Sequence, residues 1–332
     1  MTGHALSTGQ VAGAAHRVAP APGPIRRRRR RLSLTPHLFL APGFVLFVVT
    51  VLWPIVQAVT MSFTDWKIIG TAASEFVGLD NYVRAFGDEQ FWVSLGNTAF
   101  YLVATVVPQI VIGLAIALLL HAKGPAKPLF RVLFYLPVVT SWVVVSLLFR
   151  FLFSDAGFVN WALGASGLTA GDTSWLSERW TGMAAIAALG IWKGIGWSMM
   201  IFLAALQGVP VPLVEAATMD GADAWQRFRA VTVPAIRAAL GFVTIMLVIG
   251  AFNVFISVYL MTGGGPAGRT DVLLTYMYQQ AFGNLEFGYG AAIAVLLTAA
   301  ALGPACSPVG APDVIVSDPA LGGSDALSTA KV

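Results

Sequence analysis

Glu215, Asp220 and Asp223 fall close together in the stretch Glu215-Ala216-Ala217-Thr218-Met219-Asp220-Gly221-Ala222-Asp223. Carboxylates at this spacing could do acid–base work or hold a cation if further ligating groups joined them. None does. Cys306 is the single cysteine, which excludes a disulfide within the chain, and the four histidines are scattered without metal-ligand spacing. No GxxxxGK[ST] phosphate loop occurs, and the run Gly263–Gly265 lacks the Lys-Ser/Thr that a phosphate cradle needs. The sequence therefore predicts no covalent chemistry, no metal and no cofactor held by this chain. What remains is binding and transmission, centred on the Glu215 stretch and on Lys193, Gln109, Asn253 and Trp197, which interrupt long apolar runs.

Those runs set the fold class. Of 332 residues, 57% are hydrophobic and 11% charged, against about 25% charged in soluble domains. A soluble fold of this size must turn much of its surface to water and could not hide so much apolar area. A bilayer core takes about 20 apolar residues per helix. Six stretches qualify: 38–60, 98–120, 132–153, 183–206, 238–261 and the shorter 288–302. Pro42, Pro54 and Pro108 inside them argue for a bundle in which neighbouring helices satisfy the freed carbonyls. The expectation is an all-α, polytopic membrane bundle of six transmembrane helices spanning 36–303. A disordered basic tail is expected over 1–35, and an atypical disordered tail over 304–332.

Loop charges orient the bundle. Six of the twenty basic residues form the run Arg26–Arg31 just ahead of the first span. That run reads as an orientation signal and not as a nucleic-acid arm. Lys123, Lys127 and Arg131 follow the second span; Arg227, Arg229 and Arg237 follow the fourth. The alternate loops carry most of the acidic residues, including Glu75, Asp80, Asp88, Asp155 and Glu178. The amino terminus is expected in the cytoplasm of a multi-pass cell-membrane protein, and the Glu215 stretch with it.

Within that loop, Pro212 suits a helix first turn, and 213–219 supplies two turns. Gly221 suits a left-handed stop. Asp223 with Gln226 resembles a capping box that restarts a helix through about Val231 until Pro234 ends it. Small residues, Ala216, Ala217, Gly221 and Ala222, allow close approach of another backbone. An amphipathic hairpin resting at the membrane surface fits the same residues.

Glu215-Ala216-Ala217, then Gly221, then Pro234 resembles the signature of the permease subunits of binding-protein-dependent ABC importers. Val77-Gly78-Leu79-Asp80-Asn81-Tyr82, Asp88, Phe91-Trp92 and Asn97-Thr98 look like the external loop of the sugar-type permeases of the maltose, lactose and glycerol-phosphate group. Thr262-Gly263-Gly264-Gly265-Pro266, Thr270 and Phe287-Gly288-Tyr289-Gly290 are similar to the first permease of such a pair. The resemblance runs from about residue 35 to 300. It implies a coupling helix carried by Glu215, Ala216, Ala217, Asp220, Gly221 and Ala222, seated in a groove of a cytoplasmic ATPase. It implies as partners a second permease, an ATPase dimer that binds ATP and magnesium, an external solute-binding protein and membrane lipid. It further implies a di- or oligosaccharide as cargo and no enzymatic activity in this chain.

On this reading Lys193, Asn253, Gln109 and Trp197 are candidates for the substrate path. Each also has a bundle role open to it: Lys193 can snorkel or pair between helices, the amides can bond neighbouring helices, and Trp197 can simply pack. Two departures from the relatives stand out. Phe255 is followed by Ile256 where an Asp is usual, and the chain turns to Gly303-Pro304 where the last helix should continue. The terminal stretch is therefore expected not to be the family's own ending, as a frame change would produce. Alternatives are a permease for glycerol phosphate or a polyamine, or a secondary transporter, which would want intramembrane carboxylates.

Overall fold

The computed structural model describes residues 34–66, 75–122, 127–167 and 173–306. The arginine run, Lys67, Lys123 and the stretch from 307 onward lie outside the described residues. The chain divides into two compact units, 1–53 and 54–332. The first contains α1 (Leu34–Phe47) and a π-helical turn, Val48–Leu52. At the unit boundary begins α2 (Trp53–Ser62).

In the second unit a two-residue strand, β1 (Thr64–Asp65), pairs antiparallel with β2 (Glu75–Phe76), Thr64 opposite Phe76. Then come α3 (Asp80–Gly87), α4 (Glu89–His121), α5 (Lys127–Val139), α6 (Trp142–Leu152), α7 (Phe158–Ala165) and α8 (Arg179–Gln207). The Glu215 stretch is in α9 (Val211–Met219), followed by α10 (Ala224–Arg227) and α11 (Val233–Ala235). The chain closes with α12 (Arg237–Phe252), α13 (Ile256–Met261), α14 (Leu273–Tyr278) and α15 (Phe287–Cys306).

By length and composition, Phe39–Ser62, α4 and α8 can each cross a membrane as one helix. The third and fifth expected spans are not single helices. Between α5 and α6 the axis bends by 96°, and between Ala224–Ala235 and α12 by 70°. Within the fifth apolar run, α12 also stops at Phe252 and α13 restarts at Ile256. An unbroken apolar run registers hydropathy but not backbone direction, so the sequence hid both interruptions. At the first break Ser141 is extended and the Thr140 hydroxyl donates to Pro137 O at 2.6 Å, closing the end of α5. At the second, the Asn253 amide donates to Ile249 O at 2.8 Å, ending α12. The sixth apolar helix, Phe287–Gly303, is the short one foreseen. Its helix runs on to Cys306 past Pro304.

The centre of the unit is α8, which packs on α4, α5 and α12. Met183, Ile186 and Leu189 form one cluster with Tyr101, Val106 and Val258; Met199, Phe202 and Leu206 form another with Ala117 and Val243. Close approach depends on missing side chains. A Cβ on Gly196 would strike the carbonyl oxygen of Phe134 in α5, and one on Gly194 the amide of Gln109 in α4.

The motif residues Asn81, Tyr82, Asp88, Asn97 and Thr98 turn out to be ties. Asn81 donates to Ser62 O and Thr64 O, and Tyr82 OH bonds Ser62 Oγ. Asn97 donates to Arg269 O and Asp271 O, and Thr98 Oγ1 accepts from Leu273 N. Asp88 caps α4 and accepts from the hydroxyls of Tyr276 and Tyr289. Burial alone would raise Asp88, but those two hydroxyls hold its carboxyl below the usual carboxylate range. The glycines of 263–265 make a sharp turn, with φ of +60° at Gly263 and +81° at Gly264.

Candidate functional site

Two features could carry transport: the hairpin at Glu215 and the cavities among the spans. The hairpin forms as its punctuation predicts. Pro212 sits in the first turn of α9, and Gly221 takes φ +77°. Nothing lies within 4 Å of where a Gly221 Cβ would be, so the backbone angle and not crowding calls for glycine. The Asp223–Gln226 capping box is complete, with Asp223 Oδ1 accepting from Gln226 N at 2.7 Å and Gln226 Oε1 from Asp223 N at 2.8 Å. Pro234 does not end the second helix. A π-helical turn, Phe228–Thr232, precedes it, and the helix carries on to Ala235. Proline has no N–H to donate, and the wider turn sits where its absence leaves an α-helical carbonyl without a partner.

Glu215, Ala216, Asp220, Gly221 and Ala222 all lie on the outside of the hairpin, partly or fully exposed, and Ala217 is half-buried. Around them Met219 and Trp225 are 88% and 66% exposed, and Trp225 stacks on Phe228 at 5.4 Å. The structure thus brings the whole motif to one exposed tip.

Among the spans lie two cavities that share Tyr101, Trp142 and Gly250 as wall. The larger, about 610 Å³, is lined further by Asn253, Phe255, Ser257 and Tyr278. The smaller, about 230 Å³, is lined by Thr105, Gln109, Lys193 and Trp197. Lys193, Gln109 and Trp197 line the smaller cavity and Asn253 the larger, so all four residues singled out for the path fall on two adjoining cavities. The side chain of Gln109 is 6% exposed and has no hydrogen-bond partner among the described residues, leaving its amide toward the cavity. Trp197 lies against Phe242 with ring centroids 6.4 Å apart.

Lys193 is different. Its ammonium donates to Pro137 O at 2.8 Å and Thr140 O at 2.6 Å, carbonyls at the break between α5 and α6, the first of them shared with the Thr140 hydroxyl. It also lies 5.0 Å over the Trp142 ring. No carboxylate was visible as a partner in the sequence, and the helix end supplies what a carboxylate would have done.

Sequence reasoning passed over Tyr101, Trp142 and Tyr278. The signal for Tyr101 was present: Tyr101, Thr105 and Gln109 recur at four-residue spacing and so share one face of α4. Trp142 and Tyr278 depend on the breaks and carried no such signal.

Residues 109–303 match the family described as binding-protein-dependent transport system inner membrane component. The chain is 37% identical over 268 residues to the probable ABC transporter permease protein YurN of Bacillus subtilis, covering 80% of this chain and 91% of that one. It is 35% identical to the arabinooligosaccharides transport system permease protein AraP of Halalkalibacterium halodurans, covering 80% and 83%. It is 34% identical to the diacetylchitobiose uptake system permease protein NgcF of Streptomyces coelicolor, covering 87% and 86%. In fold it is similar to a chain of a bacterial ABC transporter involved in the import of the acidic polysaccharide alginate. That match has a TM-score of 0.70 at 23% identity and covers 81% of this chain and 91% of that one. The chain belongs to the binding-protein-dependent transport system inner membrane components, the permease subunits of ABC transporters.

Proposed function

We propose that this permease forms, with a second permease, the membrane path of an ATP-driven importer for a di- or oligosaccharide. Its amino terminus and the Glu215 hairpin face the cytoplasm. An external solute-binding protein delivers the sugar, and a separate ATPase dimer, which binds ATP and magnesium, receives the hairpin. The observation that carries the reading is the lining of the two adjoining cavities. Tyr101, Trp142, Phe255 and Tyr278 offer ring faces, while Gln109 and Asn253 offer amides. A sugar presents both apolar C–H faces and hydroxyls, and rings with a few placed polar groups meet both.

A polyamine fits less well. It would want carboxylates, and the ionisable side chain on the smaller cavity is the cation Lys193. A phosphate ester fits less well too, because the Lys193 protons are already committed to carbonyl oxygens of α5 and its break. The test is reconstitution of the complex with its neighbouring subunits, a ligand screen on the binding protein, and ATP-dependent uptake of the sugar found. A binding protein that takes polyamines or phosphate esters, or uptake independent of ATP, would overturn the reading.

A further inference from the structure

Helix α3 is inside out for a surface helix in water. Its polar side is tied down: Asn81 and Tyr82 bond the Ser62–Thr64 stretch, and Arg84 pairs with Glu286 at 2.7 Å while lying 4.1 Å over the Tyr289 ring. Ala85 beside them is fully buried. The other side carries Leu79, Val83 and Phe86, 63%, 69% and 54% exposed. Their spacing of four and three residues places them in one stripe. A helix that anchors itself by its polar face and turns its apolar face outward is suited to apolar surroundings.

The stripe continues onto α4. Phe86 meets Trp92 at a centroid distance of 6.2 Å, and the Trp92 indole N–H donates to Phe86 O at 2.9 Å. From Trp92 exposed positions of α4 recur every three or four residues through Gly96, Ala99, Val103, Val107, Val111, Ala115 and Leu119, none of them polar. At 1.5 Å per residue, Trp92 to Leu119 covers about 40 Å, the thickness of a bilayer with its headgroup layers. Trp92 therefore stands at the headgroup level, where tryptophan is enriched, and α3 is joined to α4 by the single residue Asp88.

We infer that α3 is an interfacial helix, lying on the membrane surface at the Trp92 end of α4 with Leu79, Val83 and Phe86 among the upper acyl chains. The partner is lipid, because the stripe is continuous with the flank of a membrane-crossing helix and carries no charge that would pair with a protein surface. Through the Arg84–Glu286 and Asn81 ties, the helix would hold the outer ends of the bundle at a fixed depth.

The test uses the complete complex in nanodiscs of phosphatidylethanolamine and phosphatidylglycerol. Cys306 is replaced by serine, and a polarity-sensitive fluorophore is placed on Val83→Cys and, separately, on Leu79→Cys. Lipid carrying a nitroxide high on its acyl chain should quench most of the emission at both positions, and aqueous iodide little. Quenching mainly by iodide would place the stripe in water. Protection from both quenchers would mean a protein subunit covers it. Either outcome overturns the inference, and neither depends on what the complex transports.

Discussion

The ammonium of Lys193, midway along α8, stands 2.8 Å from the carbonyl oxygen of Pro137, at the end of the helix that precedes the bend in the third span. A charge at a helix centre costs about 2.5–3.5 kcal/mol on insertion scales. Each hydrogen bond to a charged group returns about 1.5–3 kcal/mol, and Lys193 makes two short ones. The two bonds together return about 3–6 kcal/mol, which meets the cost and exceeds it by up to about 3 kcal/mol. Lys193→Met should therefore change the stability of the complex by less than about 3 kcal/mol. It should still lower uptake strongly, because the tie between α8 and the bend is gone. Lys193→Arg should recover part of the uptake. Melting curves and uptake on the same preparations separate the two effects; full uptake by the Met variant would dismiss the tie as a transport element.

Two glycines on the cavity wall make a matched pair. A Cβ on Gly194 would run into the amide of Gln109, whereas one on Gly250 meets nothing within 4 Å. Gly194→Ala should force Gln109 aside at a cost of about 1–3 kcal/mol and raise the half-saturating substrate concentration. Gly250→Ala should be neutral or slightly stabilising, since alanine is the better helix former. Equal behaviour of the two would mean that Gln109 does not shape the path.

The hairpin separates backbone need from contact need. Gly221 at φ +77° stands in open space. Gly221→Asn should keep coupling, because asparagine tolerates the left-handed region, while Gly221→Pro, locked near φ −65°, should abolish it. Glu215→Lys leaves the fold alone and should strongly lower transport-coupled ATP hydrolysis through lost contact with the ATPase. Asp223→Ala removes an N-cap and should cost about 1 kcal/mol locally. ATPase stimulation by loaded binding protein measures all four. Wild-type coupling in both Gly221→Pro and Glu215→Lys would remove the hairpin from the mechanism.

These residues also mark how far sequence reading reached. The hairpin was legible because its signals are local: a glycine that must be left-handed, and an Asp and Gln three residues apart. The apolar runs were legible because a bilayer demands length and hydropathy. The bend at Thr140–Ser141 was not, since Pro137 before it is of a kind that membrane helices also carry without a sharp bend when neighbours satisfy the freed carbonyls. The partner of Lys193 was therefore also hidden, because a carbonyl released by a helix break has no letter in the sequence. Gln109 and Asn253 could be picked as polar intruders, but the sequence did not distinguish Asn253, which caps α12, from Gln109, whose amide is left to the cavity.

The turn after α13 holds a carboxyl whose titration can be read. Asp271 is 3% exposed, accepts from Thr275 Oγ1 at 2.9 Å, and leaves no room for a side chain on Gly264. Burial pushes it up to about 6, with the Thr275 hydroxyl opposing. A carboxyl raised in the folded state favours folding when protonated. Its contribution is full below the unfolded value near 3.8 and fades as pH rises through about 6. The wild-type complex should thus lose melting temperature across that window more steeply than Asp271→Asn, whose neutral amide does not titrate. Asp88, held low by Tyr276 and Tyr289, acts in the opposite sense, and its contribution is lost as pH falls. In a Tyr276→Phe, Tyr289→Phe background the acid-side loss should shrink, which leaves the Asp271 slope exposed. Melting of wild type and Asp271→Asn, each with and without the two Phe substitutions, at pH values spanning the two windows gives the comparison; an Asp271→Asn curve parallel to wild type would show that the buried carboxyl does not change ionisation on folding.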